Sequence, residues 1–282
     1  MSAVVLTSAL PPRRRSWTLL VGLVLVSVVS ATALVSLVWL PFDPSDTGGT
    51  RLEGPNATHW LGTDKLGRDL ATQLMIGARI ALTVGLGSVA VGAVIGISVG
   101  LVAAFAASWL DDTISAALDV VIAFPVLLLA MLIVAAQGAS LGSVILAIGL
   151  AMSAIVARLT RVLTKRVLGE QFVTAARTSG TRWPGIVARH ILPNIWPTLS
   201  VNLALQFGVA VLAEASLSYL GLGAPPPNAS WGRLLQEAQG TVVTAPVGAI
   251  APGLALVALV IGVNFVADGL RDVADPSRRR SR

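Results

Sequence analysis

Long apolar runs separated by short polar stretches make up most of this chain. Six of them, at about 17–40, 80–107, 114–136, 142–163, 196–220 and 245–267, are long enough to cross a bilayer. A run of about 18 apolar residues spans a hydrocarbon core of about 30 Å as a helix. Lipid offers the backbone no hydrogen-bond partner, so spans of this kind are helical. A β-barrel would alternate polar and apolar residues in strands of about 10, and these runs are too long and too continuous for that. The pattern therefore predicts an all-α integral membrane protein with six transmembrane helices. It also isolates one polar island, Glu170–Pro193, between the fourth and fifth spans.

Composition agrees with the pattern. Of 282 residues, 55% are hydrophobic and 12% charged, against about 25% charged in an average soluble domain. The net charge of +6 could suggest nucleic acid, but the basic residues flank the apolar runs as membrane topology requires. With an inside N-terminus, 15 of the 20 Lys and Arg fall inside: Arg13, Arg14, Arg15, Arg158, Arg161, Lys165, Arg166, Arg177, Arg182, Arg189, Arg271, Arg278, Arg279, Arg280 and Arg282. Five fall outside: Arg51, Lys65, Arg68, Arg79 and Arg233. That bias puts both termini and the polar island in the cytoplasm. The first apolar run exceeds a signal-peptide core, so it reads as an uncleaved anchor, and Arg13–Arg15 read as its inside flank. Asn56-Ala57-Thr58 and Asn228-Ala229-Ser230 fit the glycosylation pattern, which is common by chance and carries no weight.

Several features inside the spans invite a chemical reading. Gly92, Gly96 and Gly100, four apart, put small residues on one helix face and predict close helix packing. Gly85-Leu86-Gly87-Ser88-Val89-Ala90 matches a dinucleotide fingerprint only formally, since no strand precedes it and it lies in lipid. Pro125 predicts a kink in the third span, either structural or shaping a pathway. Asp119, in the third span, and Glu214, in the fifth, are translocation or intersubunit candidates, because ionisable groups at such depth face a bundle interior or water. Ser216 and Ser218 are candidate partners for Glu214, whose plainer reading is a structural hydrogen bond. Asp119 has an equally plain reading, a structural ion pair with the inside basic residues.

There are no cysteines, so disulfides and thiol chemistry are excluded. His59 and His190 are far apart and fall on opposite sides of the membrane in this topology, which argues against a metal centre and a catalytic pair. No catalytic residue is assigned.

The island itself reads as a short amphipathic helix from Glu170 to Gly180, with Phe172, Ala175, Ala176 and Ser179 on one face. Gly180 is its stop, Trp183-Pro184-Gly185 turns the chain, and Ile186–Leu192 forms a second short helix leading to Pro193. Thr174-Ala175-Ala176, Gly180 and His190-Ile191-Leu192-Pro193-Asn194 resemble the EAA loop of ATP-binding-cassette importer permeases. Thr174 stands where that motif usually has Glu. His59-Trp60-Leu61-Gly62-Thr63-Asp64-Lys65-Leu66-Gly67-Arg68-Asp69 resembles the dipeptide, oligopeptide and nickel permease branch, in its second-permease subfamily. So does Ala213-Glu214-Ala215-Ser216-Leu217-Ser218-Tyr219-Leu220-Gly221-Leu222-Gly223, followed by Pro225-Pro226-Pro227 and Ser230-Trp231-Gly232.

The resemblance implies an importer subunit that pairs with a homologous permease, sits on two cytoplasmic ATPases and receives peptide or a related small solute from an extracytoplasmic binding protein. It implies an anchor helix and outside loop over 1–79 and a five-helix permease core over 80–282, with the coupling loop at about 166–194. Coupling would rest on Thr174, Ala175, Ala176, Arg177, Gly180, His190 and Pro193. Asp64, Lys65, Arg68, Asp69 and Trp231 are candidates for extracytoplasmic partner contacts, Trp231 at headgroup level; a loop tied by its own salt bridges and by turns at Gly62 and Gly67 is the competing reading. The chain has no Gly-x-x-x-x-Gly-Lys-Ser/Thr loop, so the resemblance leaves ATP and Mg to the partner ATPases and no cofactor to this chain. A secondary transporter driven by an ion gradient is the alternative; it would show repeats and broken helices, and no clear repeat is visible.

Overall fold

The computed structural model describes residues 17–223, 225 and 229–274. Arg13–Arg15, Arg278–Arg280, Arg282, Pro226, Pro227 and Asn228 lie outside the described residues. Apart from one isolated β-bridge, Thr63 with Asp69, the regular structure of the described residues is helical. The helices are α1 (Trp17–Val35), α2 (Leu70–Phe105), α3 (Ser108–Ala123), α4 (Val126–Gln137), α5 (Leu141–Leu168), α6 (Gln171–Thr178), α7 (Trp183–Ile186), α8 (Leu192–Tyr219), α9 (Trp231–Ala238) and α10 (Val247–Ala274). A π-turn, Val187–Ile191, joins α7 to α8 without a break.

Among the described residues, five helices are long and apolar enough to cross a membrane, or six if α3 and α4 count as one span. The predicted third span is broken rather than kinked. α3 and α4 meet at 90°. Phe124, the residue before proline, is extended at φ −79° and ψ 131°, because the Pro125 ring disfavours helical geometry there.

Two boundaries differ from those predicted by ten residues or more. α2 begins at Leu70, not at 80: Asp69 caps it, accepting from the Thr72 N–H at 2.7 Å. Its first turns carry Thr72, Gln73 and Arg79, which hydropathy alone reads as loop, so Arg79 belongs to the helix. The fifth span likewise extends back to Trp183, so the second short helix of the island is the first part of that span.

Small residues set the helix contacts. A Cβ on Gly96 would stand 2.6 Å from Val156 Cβ, and one on Gly100 2.6 Å from Thr160 Cβ, so the predicted glycine stripe is the seam between α2 and α5. Gly22 of α1 meets Gly262 of α10 in the same way. Only 17% of the span window in α1 and 50% of that in α5 is buried, so most apolar side chains point outward, as lipid or a neighbouring subunit requires.

Candidate functional site

The polar island folds against one end of the bundle. α5 carries Lys165 and Arg166 in its last turn, where cations complement the helix dipole, and only Gly169 and Glu170 separate it from α6. Glu170 stands at the N-cap position without a side-chain cap bond. At the other end of α6, Gly180 adopts φ +83°. Its N–H donates to the Arg177 carbonyl at 3.0 Å and the Thr181 N–H to the Ala176 carbonyl at 3.1 Å, a Schellman stop that favours glycine.

The buried face of α6 is not the expected one. Val173, 1% exposed, packs with Ile186, Ile191, Ile195 and Leu199, and Ala176 lies partly buried beside it. Phe172, Ala175 and Ser179 point outward. Val173 and Ala176, three residues apart, form the face toward the core because the core meets the helix on that side. Thr174, Ala175, Arg177 and Gly180 are all exposed, which leaves a small-residue surface beside a free backbone turn.

Aromatic contacts hold this loop to the bundle. The Arg177 guanidinium lies 4.5 Å from the Trp183 ring centroid, and Trp183 meets Phe105, the last residue of α2, edge-on at 5.0 Å. Phe172 and His190 approach to 6.1 Å. Pro193 is exposed and explains the π-turn before it: proline has no N–H to offer the preceding turn, and Leu192 instead donates back to Val187. The Asn194 amide donates to the His190 carbonyl at 2.6 Å.

Charges fasten α3 to α5. Asp119, half exposed, pairs with Arg158 at 3.2 Å, so it does join the basic residues near the island. Sequence reasoning missed Asp111. It is 5% exposed and accepts from Arg161 Nη2 at 2.7 Å, from Arg161 Nε and from Lys165 Nζ. The available signal was the i, i+4 spacing of Arg161 and Lys165 beside an acid in the first turn of a neighbouring helix.

Glu214 is 2% exposed and has the structural partner expected of it. The Ser218 hydroxyl donates to it at 2.6 Å and Ser230 bonds the same carboxylate. Ser216 turns away and donates to the Leu212 carbonyl at 2.8 Å. Because Ser230 also caps α9, accepting from the Arg233 N–H, Glu214 ties α8 to the start of α9.

At the opposite end of the bundle, residues 41–69 fold into a loop held from within. Asp64 accepts from the backbone of Leu66 and Arg68 at 2.7 and 3.0 Å and from Arg68 Nε at 2.6 Å. Arg68 also reaches Glu237 of α9 at 2.7 Å, and Glu237 binds Arg233 at 2.9 Å. Asp69 caps α2 and meets His59 Nδ1 at 3.0 Å. Gly62 and Gly67 take positive φ at the turns, as expected. Asp64 and Asp69 are thus buried and occupied, Arg68 is mostly buried, and only Lys65 of this set stands free at the surface. Trp231 needs a correction. It does not stand at the surface as a partner contact but is 2% exposed, its indole N–H donating to the Leu74 carbonyl at 3.0 Å, because the absent side chain of Gly77 opens a slot for its ring. Lys65, Ser218, Arg233 and Glu237 line an open cleft of about 360 Å³ there. Among the described residues no group of His, Asp or Glu is arranged to hold a metal.

The profile of the family described as binding-protein-dependent transport system inner membrane component matches residues 92–280. The chain is 37% identical over 265 residues to the dipeptide transport system permease protein DppC of Alkalihalophilus pseudofirmus, covering 92% of this chain and 86% of that one. It is 41% identical over 224 residues to the glutathione transport system permease protein GsiD of Pectobacterium atrosepticum, covering 79% and 74%. A putative peptide transport system permease protein of Brucella suis is 38% identical over 277 residues, covering 98% and 92%. In fold, the chain resembles one from an inward-facing MetNI methionine ABC transporter, with a TM-score of 0.61 at 21% identity, over 72% of this chain and 96% of that one. The match covers well over half the sequence and the same helical architecture carries it: the chain belongs to the binding-protein-dependent transport system inner membrane components, the permeases of ATP-binding-cassette transporters.

Proposed function

We propose that this permease imports di- or oligopeptides, or a related small solute such as glutathione, across the cytoplasmic membrane. It works beside a homologous permease, above two ATPases, and below a solute-binding protein. Both termini and α6 face the cytoplasm, in line with the 15 to 5 bias of Lys and Arg. ATP and Mg are held by the ATPases, and this chain contributes no catalytic residue. Peptide is favoured over other cargo because two of the relatives are named as dipeptide and peptide permeases.

The observation that carries the reading is the exposed small-residue face of α6. Thr174 and Ala175 project away from the bundle and Arg177 lies exposed over Trp183, while Val173 anchors the helix inward. A helix anchored this way, two residues beyond a span, transmits a push from a docked motor to α5. Alternating access is then a shift between two packings of the bundle. Thr174 in place of Glu lowers the negative charge of the docking face without changing its size much.

Ala175→Trp tests this. Ala175 is exposed and helical, so a large ring there obstructs docking without disturbing the core. The variant should reach the membrane normally and lose co-purification with the ATPases. Undiminished co-purification would refute α6 as the docking element.

A further inference from the structure

α3 is fastened in an unusual way. Along its 16 residues the single buried side chain is Asp111, a carboxylate. Helices normally hold their neighbours with an apolar stripe. Here Trp109 and Val120 face outward, at 71% and 61% exposure, and the apolar side chains of the inward face, Leu110, Ile114, Leu118 and Val121, are only partly buried, so the one fully buried contact is ionic.

The cations all come from α5. Arg158, Arg161 and Lys165 occupy i, i+3 and i+7, one face of that helix. Asp111 takes Arg161 through two guanidinium nitrogens and Lys165 as a third donor. Asp119, two turns further along α3, takes Arg158, as antiparallel helices require. A two-pronged guanidinium–carboxylate contact fixes orientation as well as distance. α5 ends three residues after Lys165, and α6 follows after Gly169 and Glu170.

We propose that the Asp111–Arg161–Lys165 clasp is a rigid link that makes α3 move with α5. Displacement of the coupling helix then reaches the α3–α4 break at Phe124–Pro125. The inference rests on the reading that α6 docks the ATPases. Asp111 and Arg161 act through α3 and are positioning residues, with no contact to cargo or nucleotide required of them. The link stays closed through the cycle: opening it would leave a carboxylate and two cations unpaired at a partly buried site, which is costly. The 90° break matters to this. It lets α3 shift as a unit without dragging α4 through the same angle.

The test uses the complete transporter in proteoliposomes, with ATP hydrolysis and uptake of a dipeptide measured together. Asp111→Asn should keep the ATPases bound and hydrolysing while uptake per ATP falls about tenfold, the scale of a coupling free energy. The charge-reversed pair Asp111→Arg with Arg161→Asp should restore most of the ratio. A third variant guards against misfolding of the first two. The chain has no cysteine, so Asp111→Cys with Arg161→Cys can be joined by a short bis-thiol linker. The linked form should transport and the unlinked form should not. Arrest of the linked form, or wild-type coupling in Asp111→Asn, would overturn the proposal. Failure of the docking reading looks different: Ala175→Trp would then keep its ATPases, whatever Asp111 variants do.

Discussion

The indole of Trp231 fills the space that Gly77 leaves open on α2 and bonds the Leu74 carbonyl at 3.0 Å. One residue further on, Gly232 lies so close to the Ala215 carbonyl that no side chain fits between them. The Ser-Trp-Gly segment therefore packs α9 onto α2 and α8. Gly77→Leu should lower the stability of the detergent-solubilised protein by about 1–3 kcal/mol through overpacking. Trp231→Phe should cost less, since only the indole hydrogen bond, about 1 kcal/mol, and some area are lost. Thermal melting followed by size-exclusion of the solubilised protein reads both.

Glu214 separates a structural from a transport role. Gln keeps an acceptor for Ser218 and Ser230, whereas Ala removes it and leaves two buried hydroxyls. Glu214→Gln should melt near wild type and take up substrate; Glu214→Ala should lose about 1–3 kcal/mol of stability. Loss of uptake in a stable Glu214→Gln variant would show that the carboxylate is needed for passage.

The loop over 41–69 is stitched to α9 by Glu237, which binds both Arg68 and Arg233. Glu237→Ala leaves Arg233 without its carboxylate and Arg68 with Asp64 alone, at a cost of about 1–3 kcal/mol. Limited proteolysis should then cut within 41–69 sooner than in the wild type, while α2–α5 remain protected. An unchanged cleavage pattern would mean that the loop is held without this network.

Gly180 sits at φ +83° with nothing within 4 Å of where a Cβ would be. Gly180→Ala therefore strains the backbone without a clash, costing about 1 kcal/mol, and should leave uptake close to normal. Gly180→Trp adds bulk at the docking turn and should cut uptake while membrane insertion stays intact. If Ala is as harmful as Trp, the turn geometry matters and docking does not.

Much of this was legible in the sequence, and the misses have physical causes. Hydropathy located the apolar stretches, since they must meet lipid. It misplaced the start of α2, because the Asp69 cap and the polar turn after it, with Thr72 and Gln73, leave no apolar signal. The short helix α6 was visible from its Gly stop. Its inward face was not, because Val173 faces a core built from α5, α7 and α8, whose placement around the helix its own eight residues do not encode. Asp64, Asp69 and Trp231 looked like surface contacts since polar and aromatic residues in loops often are; the two acids turn inward onto their own loop and the start of α2, and Trp231 is buried by α9 folding back over α2. Asp111 was missed for the same reason, since its partners lie 50 and 54 residues away.

The most direct test of the central claim is uptake by the assembled transporter in proteoliposomes, with its binding protein and a dipeptide outside. The account predicts uptake that requires ATP on the ATPase side and persists when ionophores abolish every ion gradient. Uptake that proceeds without ATP and collapses with the gradient would contradict it.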